Sequence, residues 1–157
     1  MNEFRVERIN HRRDHLADLF NQYNFYRNES SLQKPVLKRM GEPLSDCEPI
    51  LFIALGNYAE SIPVGFIQLY PICSSANTGM TTIINDLYVL PDYRKNGIAL
   101  KLIEAAVKFA INNKSVLIQL ETLQDNLIAQ KLFESVGFKC QASDSELNVY
   151  YIRFEFD

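Results

Sequence analysis

Apolar positions recur with two periods along this chain, and the two periods divide it into strands and helices. Residues 4–9 alternate weakly and read as a first strand. Over residues 13–26, Leu16, Leu19, Phe20, Tyr23, Phe25 and Tyr26 fall at helical spacing. Residues 28–31 break that pattern, and Ser30 or Ser31 can cap a second helix over 32–40, in which Pro35 fits only near the start. Gly41 and Pro43 stop it. Residues 49–55 form a continuous apolar run, 56–61 a polar turn and 64–72 a second run, which together predict an antiparallel hairpin. A small-residue loop over 73–79 leads to a β-branched and aromatic strand over 81–90.

The period then lengthens. Leu100, Ile103, Val107 and Ile111 make one helical stripe, widened by Leu102, Ala106, Phe109 and Ala110, and Asn112-Asn113 ends it. A strand over 116–120 follows. Asp125 or Asn126 starts another helix, with Ile128, Leu132, Phe133 and Val136 on its apolar side and Gly137 closing it. A sixth strand begins at Phe138. The last, over 149–156, alternates Tyr150, Ile152, Phe154 and Phe156 against Tyr151, Arg153 and Glu155. The order β-α-α-β-β-β-α-β-α-β-β predicts an α/β (α+β) arrangement. Hairpins come first, and a strand–helix–strand crossover then makes two strands parallel in a mixed sheet with helices on both faces.

At 157 residues the chain reads as one domain over 1–157, large enough to fold without staples. Its net charge of −3 lacks the basic excess that drives nucleic-acid binding. The apolar runs are too short to span a bilayer, and the charged start MNEFRVERINHRRDH has no secretory hydrophobic segment, so a cytoplasmic protein is expected. Cys47, Cys73 and Cys140 are odd in number and widely spaced, against a disulfide framework or zinc site. His11 and His15 are spaced i, i+4, but they are the chain's only two histidines, too few for a His-rich site, so no metal is expected.

The densest chemical signal lies between the fourth strand and the long helix. Pro91 and Asp92 lead into Arg94-Lys95-Asn96-Gly97-Ile98-Ala99, and the helix pattern begins there. A strand, a glycine-containing loop and a helix start bring several backbone N–H groups together. Such a group can hold a phosphate, which suggests a nucleotide-type or pyrophosphate-bearing ligand.

These residues resemble the GNAT superfamily of acetyl-CoA-dependent N-acetyltransferases. The loop matches the family's [RQ]-x-x-G-x-[GA] at Arg94, Gly97 and Ala99. Asn126, Ala129, Leu132, Phe133, Gly137 and Phe138 stand at the places of the family's N-x-x-A-x-x-[LF]-[YF]-x-x-x-G-F. The resemblance covers nearly the whole chain, because the element order matches too. It implies a mixed, mostly antiparallel twisted sheet with helices on both faces. It also implies acetyl-CoA as co-substrate and transfer to a primary amine of a polyamine, amino acid or peptide. A homodimer is left open. The alternative is a non-catalytic acetyl-CoA-binding or sensing module.

Carried over residue by residue, the resemblance implies that Leu87 and Val89 offer backbone groups to the pantetheine arm, as in β-augmentation. Arg94, Lys95, Asn96, Gly97, Ile98 and Ala99 would surround the pyrophosphate. Asn126 would hold the arm from the other side or cap its helix. Phe133 would form apolar wall where many relatives have a tyrosine general acid, and phenylalanine has no proton to give. Tyr88, Tyr93, Tyr70 and Tyr150 are the replacement phenols. Asp86 and Glu121, carboxylates on central strands, are the candidate bases, each with a structural hydrogen bond as the plain alternative. A covalent role for Cys73 has no base partner visible in the sequence. Tyr23, Phe25 and Tyr26 would wall the acceptor site.

Overall fold

The structure, a computed structural model, describes residues 3–9, 19, 21–23, 49–56, 60–74 and 79–156. Seven strands form one sheet in the order β1-β2-β3-β4-β5-β7-β6: β1 (Phe4–Ile9), β2 (Ile50–Gly56), β3 (Ile62–Ser74), β4 (Gly79–Val89), β5 (Leu117–Leu123), β6 (Lys139–Gln141) and β7 (Leu147–Arg153). Every pairing is antiparallel except β4 with β5. Helix α1 (Ile98–Asn112) joins those two parallel strands, as the crossover predicted. Helix α2 (Leu127–Val136) follows β5.

Strand alternation sorts side chains onto two faces. On β2, Leu51, Ile53 and Leu55 join Phe66, Tyr88, Leu19 and Tyr23 in one cluster. Ala54 of the same strand joins Ile67, Leu69, Leu102, Ile103, Ala106, Ile118, Phe133 and Tyr150 in the other. Helices α1 and α2 therefore cover one face. Leu19 and Asn21 to Tyr23, which are helical, cover the other. The rest of the helix expected over 13–26 and all of the one over 32–40 lie outside the described residues, as do His11, His15, Phe25, Tyr26 and Cys47.

The helix stripes sit differently from the sequence pattern. Helix α1 buries Ile98, Leu102, Ile103, Ala106, Phe109 and Ala110, whereas Ile111 is exposed. Ala106 and Ala110 let the axis approach the sheet, and this turns Ile111 outward. On α2 only Phe133 is fully buried, and Ile128 is 84% exposed. Strand β7 ends at Arg153, short of Phe154 and Phe156. Strands β3 and β4 run further into the expected 73–79 loop, reaching Ser74 and resuming at Gly79. Among the described residues no helix is long and apolar enough to cross a membrane.

Candidate active site

Strands β4 and β5 pair only at Thr81–Leu117, Thr82–Ile118 and Ile83–Gln119. Beyond Ile83 β4 continues to Val89, and beyond Gln119 β5 continues to Leu123, but the two no longer bond to each other. A cleft opens between neighbouring strands in the middle of the sheet. At the paired end, Thr82 Oγ1 meets Ser115 Oγ at 2.8 Å and Val116 N donates to Met80 O at 2.8 Å, holding the two strands together before they part.

The register shows which backbone groups line this cleft. Leu90 N donates to Val64 O at 2.9 Å, so that pair is hydrogen-bonded. Hydrogen-bonded pairs alternate along an antiparallel ladder. The next pair inward, Gly65 with Val89, is therefore not, and neither is Ile67 with Leu87. The N–H and C=O groups of Leu87 and Val89 consequently point away from β3, into the gap. Gly65 permits the close approach here: a Cβ on it would stand 2.9 Å from Tyr88 O. An extended amide chain can pair with such an edge.

The loop at the end of β4 is built by its own side chains. Arg94 Nε donates to Val89 O at 2.9 Å, and its guanidinium lies 5.6 Å from the Tyr88 ring centroid. This bond ties Arg94 to the strand end through one of its five N–H donors. Asn96 Nδ2 donates to Tyr93 O at 3.0 Å and to Arg94 O at 3.1 Å. Lys95 and Gly97 take left-handed backbone, with φ of 63° and 79°. Gly97 is the N-cap of α1 and has no heavy atom within 4 Å of the place a Cβ would occupy. The first intrahelical bond is Lys101 N to Gly97 O, at 3.1 Å. The N–H groups of Ile98, Ala99 and Leu100 precede it, with no acidic side chain in the first turn. Those donors, the helix dipole and the open space over Gly97 suit a pyrophosphate.

Asn126 lies at the N-terminus of α2 and caps it, Oδ1 accepting from Ala129 N at 3.3 Å. The capping alternative is what its side-chain oxygen does. Phe133 is buried, 5.9 Å from the ring centroids of both Phe138 and Tyr150. It is packing, on the α1–α2 side of the sheet. Tyr150 is buried on that same side, and its phenol donates to Glu134 Oε1 at 3.4 Å. Burial, with Cys140 and Glu134 adding to it, pushes this phenol up to about 12.

The titratable candidates meet on the opposite face. Strand β4 carries a bulge: Gln68 pairs with Asp86 but Leu69 pairs with Ile84, which leaves Asn85 extra. The buried Asp86 carboxylate accepts from the Tyr23 phenol on Oδ1 and from Asn85 Nδ2 on Oδ2, the latter at 2.9 Å. Tyr88, two residues on, packs with its ring 5.3 Å from that of Tyr23. Tyr70 accepts from Gln68 Nε2 at 3.3 Å. Glu121 alternates with the core-facing Leu120, so it belongs to the Asp86 side of the sheet, on the other lip of the cleft.

Asp86, Tyr88 and Glu121 thus share one face at the cleft, while Tyr150 and Phe133 lie across the sheet. Cys73 is remote. It pairs with Met80 at the far end of β4 from Val89, roughly 30 Å away at about 3.3 Å per residue. Tyr23, expected as aromatic wall, also brings its phenol to Asp86, while Asn85 and Gln68 lie beside it with no expectation from the sequence. Their signal in the sequence was a pair of amides inside otherwise apolar strands. Among the described residues no cluster of three or more His, Cys, Asp and Glu could hold a metal.

The family described as Acetyltransferase (GNAT) family matches residues 13–138. The uncharacterized N-acetyltransferase YhfO of Bacillus subtilis is 39% identical over 127 residues, 79% of this chain and 81% of the relative. The thialysine N-epsilon-acetyltransferase of Mus musculus is 31% identical over 104 residues, 66% of this chain and 58% of the relative. Among solved structures, a candidate streptothricin acetyltransferase of Bacillus anthracis, in complex with acetyl coenzyme A, superimposes with a TM-score of 0.57. It is 26% identical, over 74% of this chain and 72% of that one.

Proposed function

The chain belongs to the GNAT family of acetyltransferases, and on that premise we propose that it moves the acetyl group of acetyl-CoA to a primary amine of a small molecule or peptide, by direct attack in a ternary complex. The observation that carries this reading is the parting of β4 from β5 beyond Ile83, with the Gly97 helix start directly after it. An extended, amide-bearing arm ending in a pyrophosphate matches both features.

In this reading Leu87 and Val89 offer backbone groups to the arm, and a backbone N–H near Val89 faces the thioester oxygen. The N–H groups around Ile98 and Ala99 take the pyrophosphate over Gly97. Lys95 adds charge at the rim, Arg94 and Asn96 hold the loop, and Asn126 fixes the start of α2 on the far side. Phe133 supports the wall from beneath.

Transfer needs a deprotonated amine, a donor for the developing oxyanion and a proton for the departing thiolate. Asp86 takes the proton from the amine. Tyr88 is the proton donor, since Phe133 has none to give. Glu121 and the rings of Tyr23 and Tyr88 suit an acceptor that arrives as a cation. A lysine-like amine fits this wall, and the thialysine acetyltransferase among the relatives supports that choice.

The test is release of free CoA thiol from acetyl-CoA with thialysine, lysine, spermidine and kanamycin as acceptors. At least one amine should raise release above the amine-free background. Asp86→Asn should lower kcat about a hundredfold. Amine-independent release for the whole panel, or full turnover in Asp86→Asn, would contradict the assignment.

A further inference from the structure

Asp86 is held by a residue far from it in sequence. Tyr23, 63 positions earlier, donates its phenol to Oδ1, while Asn85 from the bulge holds Oδ2. Each carboxylate oxygen therefore has a donor of its own. Both donors are buried, Tyr23 at 8% exposure and Asn85 at 4%. A buried carboxylate needs such donors to offset the water it has lost, and donors on both oxygens also fix the plane of the group. The Tyr23 ring is itself clamped, 5.2 Å from Phe66 edge-on and 5.3 Å from Tyr88. Its hydroxyl has little freedom to leave Asp86. The only described helical residues on this face, Leu19 and Asn21 to Tyr23, are thus joined to the centre of β4 through this phenol.

We propose that Tyr23 is a positioning residue for acetyl transfer: its phenol sets the orientation in which Asp86 meets the acceptor amine. This rests on the reading of Asp86 as the base. A phenol that only anchored its helix would act on stability and on both substrates alike. One that orients Asp86 acts on the amine step and acts through the carboxylate.

The experiment is a double-mutant cycle of Tyr23→Phe and Asp86→Asn, which keeps the ring packing and the carboxamide shape. The acceptor is whichever of thialysine, lysine, spermidine and kanamycin the wild type turns over fastest. Tyr23→Phe should lower kcat/KM for the amine about tenfold, the scale of a hydrogen bond to a charged group. The Kd for acetyl-CoA should be nearly unchanged, while the Tm should fall by a few degrees because one oxygen of a buried carboxylate loses its donor. In the Asp86→Asn background the same change should cost less than about twofold, because the carboxylate it orients is gone. Asn85→Ala, which strips the other oxygen, should lower kcat/KM in the same direction.

Several patterns overturn the proposal. Tyr23→Phe could leave amine kcat/KM within about twofold while Asp86→Asn is impaired. The two effects could multiply in full. Acetyl-CoA affinity could fall in step with amine kcat/KM, which marks a structural anchor. Full activity in Asp86→Asn is a different result: it removes the base assignment itself.

Discussion

Arg94 Nε donates to the carbonyl of Val89 at 2.9 Å, and this one bond closes the loop onto the strand that precedes it. It occupies the Val89 carbonyl and leaves that residue's N–H as the group facing the cleft. It also carries the guanidinium over Tyr88. The arginine of the loop therefore links the loop to both Val89 and Tyr88.

Removing that bond should loosen the loop without removing a phosphate ligand. Arg94→Ala is expected to weaken acetyl-CoA binding by up to about tenfold, near 1.4 kcal/mol. Raising the salt concentration should weaken both proteins by a similar factor, since no direct phosphate charge has been lost. Calorimetric titration at two salt concentrations reads both effects. A salt dependence much shallower in Arg94→Ala than in the wild type would make Arg94 a phosphate contact after all.

Gly97 and Gly137 form a matched pair. Both have positive φ, 79° and 112°, and neither has a heavy atom within 4 Å of a built Cβ. Only Gly97 stands at the loop before α1; Gly137 closes α2 at its other end. Alanine at either site should cost about 1 kcal/mol of stability from backbone strain. Gly97→Val should in addition lower acetyl-CoA affinity at least about tenfold, and Gly137→Ala should not lower it. Thermal unfolding and acetyl-CoA titration of the variants separate strain from crowding. Equal affinities in Gly97→Val and wild type would place the pyrophosphate elsewhere.

Much of this arrangement was legible in the chain, because local rules govern it. The Arg94–Ala99 spacing and the hydrophobic period on either side fixed a strand, a loop and a helix in order. The crossover rule then made β4 and β5 parallel. The bulge at Asn85 was not legible, since it is set by the register against β3; Ile83-Ile84 followed by Asn85-Asp86 breaks the alternation without saying which residue is extra. The Tyr23–Asp86 bond is a tertiary contact across 63 residues, and nothing in either neighbourhood announces it. Ile111 and Ile128 misled for a common reason. Helical periodicity gives a stripe, but the residue at its centre depends on how closely small side chains such as Ala106 let the helix approach.

Tyr150 gives the molecule an alkaline limit. Its phenol is pushed up from 10.0 to about 12, first by burial, then by Cys140 and Glu134. Between those values the unfolded chain loses the proton while the folded protein keeps it. The unfolded state then binds fewer protons, so stability falls as pH rises. The contribution is intact below pH 10 and is lost through about pH 12. Tyr150→Phe should flatten this part of the curve. It should leave turnover near neutral pH almost unchanged, because the phenol lies across the sheet from Asp86. Denaturant unfolding from pH 8 to 11.5 is the measurement. An equal decline in Tyr150→Phe would assign the alkaline loss to other groups.

Direct transfer has a geometric consequence at Cys73. This thiol is exposed and contacts Met80 Sδ at 3.5 Å, at the end of the β3–β4 ladder away from Val89. At roughly 30 Å from the cleft mouth it cannot receive an acetyl group from a thioester held beside Val89. Nucleophilic catalysis needs the attacking atom within contact distance of the carbonyl carbon, and the intact sheet does not bend to supply that. Cys73→Ser should therefore keep kcat within about twofold of wild type, and two-substrate kinetics should give intersecting lines. Incubation with acetyl-CoA alone, followed by intact-mass measurement, should show no stable adduct that disappears with Cys73. Parallel kinetic lines together with a Cys73-dependent adduct would establish an acetyl-enzyme and defeat the ternary-complex route.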